Sequence, residues 1–152
     1  MDVRILASIG ATLLLIAGVM WIVPTTPNSN SFTFETARRG IANAHAIDVE
    51  KPVQNSIVDG SDSDFYRIDP VSSAVRLDVH MTNRSPRLIP GVRVFDGTRS
   101  LVTEKAAEYV RSPGTNVDCS FLAQSNMTYY VQVFGQRNTT GPYTLTVAVR
   151  HP

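Results

Sequence analysis

The sequence predicts an all-β protein, an antiparallel β-sandwich of about eight strands behind a single transmembrane helix. Two observations lead to this prediction. Short segments with alternating apolar and polar residues follow one another along most of the chain, and one long uncharged apolar run lies near the amino terminus. Alternation with a period of two is typical of half-buried antiparallel strands, and a run of such length is typical of a membrane span.

The apolar run covers residues 5–23, and its nineteen residues carry no charge. At helical rise they extend about 28 Å, which is close to the hydrocarbon thickness of a bilayer. Ile5 and Leu14 are expected to contact lipid, and Trp21 is expected at the interface that amphipathic rings favour. Arg4 precedes the run, so the start is expected in the cytoplasm and the remainder outside it.

A cleaved signal peptide is the alternative to an anchor for this run. Such a peptide has a shorter apolar core and ends at a small-x-small cleavage site. Here the run ends in WIVPTTP, which contains no such site. We therefore predict an uncleaved signal-anchor helix at residues 1–23 of a single-pass inner-membrane protein. Its C-terminal domain is expected to be periplasmic or extracellular.

The segment at residues 24–33 is rich in Pro, Thr, Ser and Asn, which disfavour regular structure, so we interpret it as a linker. The sandwich is then expected at residues 34–152. Its lead-in, FETARRGIANAHAI, has some helical character, and the sequence leaves open whether it is a short helix or extended. Turn-forming clusters such as DGSDS, NRSP and SPGTN separate the strand-like segments that follow.

The composition argues against several classes of function. With 14 basic and 13 acidic residues the net charge is +1, and no basic patch of the kind that binds nucleic acid is visible. The chain has no His-Glu-x-x-His, Gly-x-Ser-x-Gly or phosphate-loop motif. The single cysteine, Cys119, cannot form an internal disulfide and is expected to be a small buried hydrophobe. We predict a protein that is not an enzyme and has no cofactor.

Four segments resemble the bacterial pre-peptidase C-terminal domain family. They are the opening ETARRGI…AIDVEKPVQNSIVDGSDSDFYRI, the mid-domain VRVFDGTRSLV, the MTYYVQVFG strand and the closing TGPYTLTVAV. The last two are the most specific, and together the four cover about residues 35–150. The resemblance implies a jelly-roll-like sandwich of the kind that is often appended to secreted peptidases. The peptidase domain that usually accompanies it is not part of this sequence.

The acidic stretch VDGSDSDFYRID allows two interpretations. The resemblance implies a turn that leads into a strand, with Asp62 and Asp64 accepting hydrogen bonds from backbone N–H groups. The alternative is a calcium site with Asp59, Asp62 and Asp64 as ligands. The spacing does not match a calcium loop with Gly at its sixth and Glu at its twelfth position, so the structural turn is favoured.

Aromatic residues suggest where a partner binds. In TYYVQVFG, Tyr130 and Phe134 alternate with a presumed core face, and Arg137 follows in the next loop. An exposed aromatic pair suits contact with a protein or stacking on a carbohydrate. The equal alternative is that both sheet faces are covered or that the register is reversed, so that the pair is not exposed. We predict an accessory or structural subunit of a larger membrane complex. Its partners would be other subunits of that complex, and residues 5–23 would contact the bilayer. A cell-tethered module that binds glycans or polymers is the alternative.

Overall fold

The computed structural model describes residues 39–106 and 114–150, and in these ranges the alternating pattern forms nine β-strands. In chain order they are β1 (His45–Ala46), β2 (Val53–Ile57), β3 (Ser63–Ile68), β4 (Val75–Asn83), β5 (Pro90–Asp96), β6 (Leu101–Ala106), β7 (Val117–Ala123), β8 (Tyr129–Gly135) and β9 (Gly141–Val149). The predicted anchor at residues 1–23, the linker at 24–33 and residues 34–38 lie outside the described ranges. No helix within the described ranges is long and apolar enough to cross a membrane.

The strands form two sheets. Sheet A has the order β1-β3-β8-β5-β6, and sheet B has the order β2-β9-β4-β7. All pairs are antiparallel except β1 and β3, which run parallel with His45 opposite Tyr66. The predicted β-sandwich is therefore confirmed for the described residues, with one short parallel strand that the sequence did not predict.

The core between the sheets is built by residues at alternate strand positions. In β4, Leu77, Val79 and Met81 are fully buried, and the residues between them face outward. Burying one such side chain stabilises the folded state by about 1.5–3 kcal/mol relative to leaving it exposed. The same alternation in β3 sends Tyr66 and Ile68 into the core.

A chain of hydrogen bonds joins the two sheets at their β2–β3 side. Asn55 Nδ2 donates to Tyr66 Oη (3.2 Å), the hydroxyl oxygens of Tyr66 and Tyr143 are 2.7 Å apart, and Tyr143 Oη donates to Asp64 Oδ2 (2.5 Å). Burial raises the pKa of the Asp64 carboxyl, and the hydrogen bond from Tyr143 offsets part of that effect. Burial and the bond to Asp64 raise the pKa of Tyr143, which therefore remains a protonated donor.

Two outward backbone N–H groups on this side are satisfied locally. Asn55 Oδ1 accepts from the Ser56 N–H (2.9 Å), and Asp62 Oδ1 accepts from the Ser63 N–H (2.8 Å). An exposed strand edge with free N–H groups is a template for pairing with another chain. These two side chains therefore block β2 at Ser56 and the start of β3 from such pairing.

The lead-in contains both structures that the sequence left open. Residues 39–42 form a helical turn, and two residues later the chain joins sheet A as β1. Gly40 packs against the Phe65 ring, where a Cβ atom would lie 2.1 Å from two ring carbons. Ile47 donates its N–H to the Arg67 carbonyl (2.9 Å) and is buried in the main core.

Candidate functional site

The outer face of sheet A carries a group of aromatic residues, which we call the aromatic face. Cross-strand register places Gln132 between Phe65 and Arg93, and places Tyr130 beside Phe95. Phe134, two residues along β8 from Gln132, completes the group. The aromatic face therefore comprises side chains from three adjacent strands: Phe65, Arg93, Phe95, Tyr130, Gln132 and Phe134.

One end of the aromatic face is covered and the other is partly open. Phe65 and Phe95 are 5% and 7% exposed because Ile41, from the helical turn, packs on them. Tyr130 packs against this cluster and is half-buried, as is Phe134. The two residues predicted to bind a partner thus lie on the outer face, beside a buried aromatic floor. Their role in partner contact remains a prediction.

Phe134 is held by its neighbours in a defined position. The Arg93 guanidinium carbon lies 4.4 Å from the centre of the ring, a cation–π geometry. Glu104 pairs with Arg93 (3.0 Å). Gly91 lies under the ring, and a Cβ atom there would come within 2.3 Å of its tip. Phe134 is therefore ordered before any partner binds, which lowers the entropy cost of using it as a contact.

Gln132 is the one polar residue enclosed by the aromatic rings of this face. It is 5% exposed, and no donor lies within hydrogen-bonding distance of its Oε1 atom among the described residues. A buried acceptor without a donor costs about 1–3 kcal/mol, so its presence in a native structure needs an explanation. A partner that supplies a donor would remove this cost.

Arg137 lies just beyond the aromatic face, in the short turn Gln136–Asn138 that follows β8. It is exposed and has a left-handed backbone (φ 52°), which a non-glycine residue adopts at some cost. The turn is held by Gln136 Nε2, which donates to the Pro90 carbonyl (3.0 Å), and by the Thr139 hydroxyl, which donates to the Gln136 carbonyl (2.7 Å). The Arg137 side chain is thus accessible from a fixed backbone position.

The outer face of sheet B is polar and, together with Thr103 and Lys105 from β6 of sheet A, forms an open cleft of about 260 Å³. Its charged groups are largely paired with each other: His80 Nδ1 lies 2.7 Å from Asp118 Oδ1, and Arg150 Nε lies 2.9 Å from Asp78 Oδ2. Lys105 also lines the cleft. Among the described residues that line it none is aromatic, so this cleft does not resemble the mostly apolar pockets that bind drug-sized ligands.

The His80–Asp118 pair resembles two members of a hydrolytic triad, but it lacks the third. Among the described residues His80 makes no hydrogen bond to a hydroxyl or thiol group. The nearby Ser120 hydroxyl accepts a hydrogen bond from Arg76 instead (3.3 Å). A triad needs a nucleophile within reach of the imidazole, so this pair does not form one.

The acidic stretch forms the turn that the family resemblance implies, with one difference. Asp59 Oδ1 accepts from the Ser61 N–H (2.8 Å) and hydroxyl (2.7 Å), and these bonds lower the pKa of Asp59. Asp62 binds the next backbone N–H, as expected. Asp64 was also expected to bind backbone, but its side chain accepts from the Tyr143 hydroxyl instead. The described residues contain no group of three or more side chains positioned to hold a metal.

This geometry predicts that calcium does not stabilise the domain. One oxygen of each of Asp59, Asp62 and Asp64 accepts a hydrogen bond within the protein, and the three carboxylates are not grouped to hold a metal among the described residues. The thermal midpoint of the full chain is expected to agree within about 2 °C in calcium and in chelator. A rise of the thermal midpoint by about 5 °C or more with calcium, which corresponds to roughly 1 kcal/mol of added stability from calcium binding, would instead identify these carboxylates as ligands.

Cys119 is buried at an inward position of β7, and burial raises the pKa of its thiol to about 11. The thiolate is the reactive form, so the folded protein is expected to resist thiol reagents. Because the chain has one cysteine, labelling of Cys119 reports loss of the sandwich without interference from other thiols.

Comparison with known proteins identifies similar folds. No family model matches the chain, and no curated protein matches it. The pre-peptidase C-terminal domain of collagenase from Bacillus anthracis is 21% identical, with a TM-score of 0.56 over 68% of this chain and 93% of that domain. The similarity supports a sandwich like that of pre-peptidase C-terminal domains. At this level of identity it shows the fold alone.

Two further solved structures are similar. Aeromonas hydrophila PliG, a periplasmic inhibitor of g-type lysozyme, is 12% identical with a TM-score of 0.50, covering 70% of this chain and 96% of that one. CorA of Methylomicrobium album BG8, a surface-associated copper-binding protein, is 8% identical with a TM-score of 0.52, covering 70% and 98%. These similarities also concern the fold only.

Sequence reasoning missed several residues that shape the aromatic face. Alternation along β3 puts Phe65 on the outer face, but nothing in the sequence predicts that the lead-in covers this ring. Sequence reasoning also missed Gln132 as a buried acceptor and Arg93 as the partner of Phe134. The available signal was the alternation along β5 and β8, which puts Arg93 and Gln132 on the same face as Tyr130.

Proposed function

We propose that this protein is a non-catalytic, membrane-anchored extracytoplasmic β-sandwich that serves as an accessory subunit of a larger membrane complex. It binds its partner through the open end of the aromatic face, with Tyr130 and Phe134 as the central contacts and Arg137 at the margin. The apolar run at residues 5–23 holds the domain at the membrane and so raises its effective concentration near the partner.

The observation that carries the proposal is the contrast between the two outer faces. On sheet A, half-buried Tyr130 and Phe134 stand beside a buried aromatic floor, with Arg93 over one ring. On sheet B, the charges of the cleft are largely paired with each other, although Asp78 Oδ1 is buried there without a donor among the described residues. Aromatic and Arg residues dominate the energetic centres of protein interfaces, whereas paired surface charges contribute little.

A glycan-binding module is less well supported. Sugar rings stack on the open face of an aromatic ring, and the Arg93 guanidinium already lies over Phe134. Tyr130 remains as one half-buried ring packed on the floor. Protein contact uses Arg and aromatic side chains together, which suits this arrangement better.

The similar structures support an exported location without establishing one. PliG is described as periplasmic and CorA as surface-associated. One of the similar proteins is a lysozyme inhibitor and one binds copper, so the fold occurs in proteins that bind another molecule.

The anchor part of the proposal is tested by the length of the mature chain. Because residues 5–23 are uncharged and no small-x-small site follows them, the protein extracted from membranes is expected to keep its first residues. Intact mass spectrometry of the purified protein measures this directly. A mature amino terminus between residues 24 and 31 would contradict the anchor.

The partner itself is best sought by mild detergent extraction of the full chain followed by affinity purification. A stoichiometric set of membrane proteins is the expected result for an accessory subunit. A chain that purifies alone, and is retained on polysaccharide, would favour the glycan-binding alternative.

A further inference from the structure

A short segment at the start of the described chain covers part of the aromatic face; we call residues 39–46 the strap. It consists of the helical turn and β1. Ile41 is its one apolar side chain that is buried, and it packs on Phe65 and Phe95. Gly40 lies against the Phe65 ring, and the two residues of β1, His45 and Ala46, are exposed.

The strap is attached less firmly than the chain that follows it. Its pairing with β3 involves two residues of β1, and the adjoining Ile47 N–H bonds to the Arg67 carbonyl (2.9 Å). Ile47 belongs to the main core, whereas Ile41 belongs to the separate aromatic cluster. Segments with few buried contacts open at lower free energy than the core, so the strap can open and break the bond from the Ile47 N–H to the Arg67 carbonyl while the Ile47 side chain stays in the main core.

We propose that the strap is displaced when the partner binds, and that the partner inserts a branched aliphatic side chain where Ile41 now lies. This rests on the proposed function, because it extends the docking surface from Tyr130 and Phe134 onto the floor beneath the strap. The complete surface then runs without interruption from Phe134 through Tyr130 to Phe65 and Phe95.

Strap release also exposes backbone groups at the outer edge of β3. The bond from Ile47 to the Arg67 carbonyl shows that the backbone groups of Arg67 face this edge, and alternation gives Phe65 and Ser63 the same orientation. The Ser63 N–H already donates a hydrogen bond to the Asp62 carboxylate. An extended partner segment can therefore pair with β3 only between Phe65 and Arg67, where β1 pairs now.

The partner segment would also supply what the aromatic face lacks. Gln132, next to Phe65 in the register, has a buried Oε1 atom without a donor among the described residues. An N–H or O–H group from a segment on the uncovered floor would satisfy it. Arg39 is exposed at the margin, which favours a partner segment with an acidic residue beside its aliphatic side chain, whereas Arg67 already pairs with Asp69 (2.9 Å).

Competition between the strap and a partner has a measurable consequence. If binding needs the open form, the apparent dissociation constant equals the intrinsic one divided by the open fraction. A variant with a loosened strap must therefore bind more tightly. This distinguishes the strap from an ordinary part of the binding surface, whose disturbance weakens binding.

Gly40→Ala is the variant that loosens the strap while every residue of the floor stays in the chain. Its Cβ atom would meet the buried Phe65 ring at 2.1 Å, so the helical turn has to move. Gly97→Ala is the matched control, because there the nearest atom is an ordinary 3.4 Å away. In the full chain, amide hydrogen exchange at Ile47 is expected to be at least ten-fold faster than at Val131. Gly40→Ala should increase the exchange rate at Ile47 at least ten-fold over the native chain, and Gly97→Ala should leave that rate unchanged.

If the Ile47 amide exchanges as slowly as the Val131 amide in both variants, the strap opens only when the whole domain unfolds. That result would contradict the proposed local opening of the strap.

A peptide RGIANAHAI, identical to residues 39–47, tests the docking step. It is expected to bind full-length Gly40→Ala at least ten-fold more tightly than the native chain, and to lose binding when its isoleucine corresponding to Ile41 is replaced by aspartate. Fast exchange without peptide binding would overturn the docking step.

The same variant separates this inference from the proposed function. Gly40→Ala is expected to strengthen retention of the copurifying partner, while changes at Tyr130 and Phe134 weaken it. Weaker retention in both cases would contradict the displaced strap and leave the aromatic face as the binding surface. Retention that changes in neither case would contradict the proposed function as well.

Discussion

Replacing Tyr130 and Phe134 together with alanine is expected to release the protein from its membrane complex while the sandwich stays folded. Both side chains are half-buried on the outer face of sheet A, outside the main core. Truncating one aromatic residue at the centre of an interface costs about 2 kcal/mol or more, which is roughly a 30-fold loss of affinity. Copurification from mild detergent measures the release, and Cys119 labelling confirms that the domain is folded.

Two further variants sharpen this prediction. Gly91→Ala leaves Phe134 in the chain but pushes its ring away, because the new Cβ atom would lie 2.3 Å from the ring tip. It is expected to weaken association too. Leu122→Ala removes a residue that is 52% exposed on the outer face of sheet B and should have no effect. Rapid Cys119 labelling of the Tyr130/Phe134 variant would show instead that these rings belong to the core.

Tyr143→Ala is expected to cause the largest loss of stability. Tyr143 is fully buried, and its hydroxyl links Tyr66 to Asp64. Truncating a buried aromatic residue costs about 3–5 kcal/mol, which for a domain of this size lowers the melting temperature by about 10 °C or more. Thermal melting, with Cys119 labelling as the probe of unfolding, measures the change in melting temperature.

Tyr143→Phe is the matched control, since it keeps the ring and removes only the hydroxyl. Asp64 and Tyr66 then lose a partner, and the expected cost is about 1–3 kcal/mol. Equal losses for the two variants would mean that hydrogen bonding, and not packing, dominates at this position. A Tyr143→Ala protein that melts within about 2 °C of the native chain would contradict its place in the core.

The architecture could be predicted from the sequence because strands encode it locally. The alternation of Leu77, Val79 and Met81 with polar residues is visible within one segment, and the structure places these three in the core. The inward positions of Tyr66 and Ile68 follow from the same rule. Neither prediction needs knowledge of which strands are neighbours.

Features that depend on distant parts of the chain could not be predicted. Asp64 bonds to Tyr143, a residue 79 positions away, so its local sequence gave no sign of that partner. The lead-in covers Phe65 only because the chain crosses sheet A at residues 40–41. The cleft of sheet B likewise requires the register of β4 against β7, which the turns and long-range packing determine.

Position-specific photo-crosslinking tests the central claim, that the aromatic face contacts the partner. A photoreactive phenylalanine analogue is placed at Phe134 in one full-length protein and at Leu122 in another, and both are irradiated in native membranes. Phe134 lies on the outer face of sheet A and Leu122 on that of sheet B. We expect an adduct with the copurifying partner from position 134 and none from position 122. Adducts from position 122 alone would contradict the account.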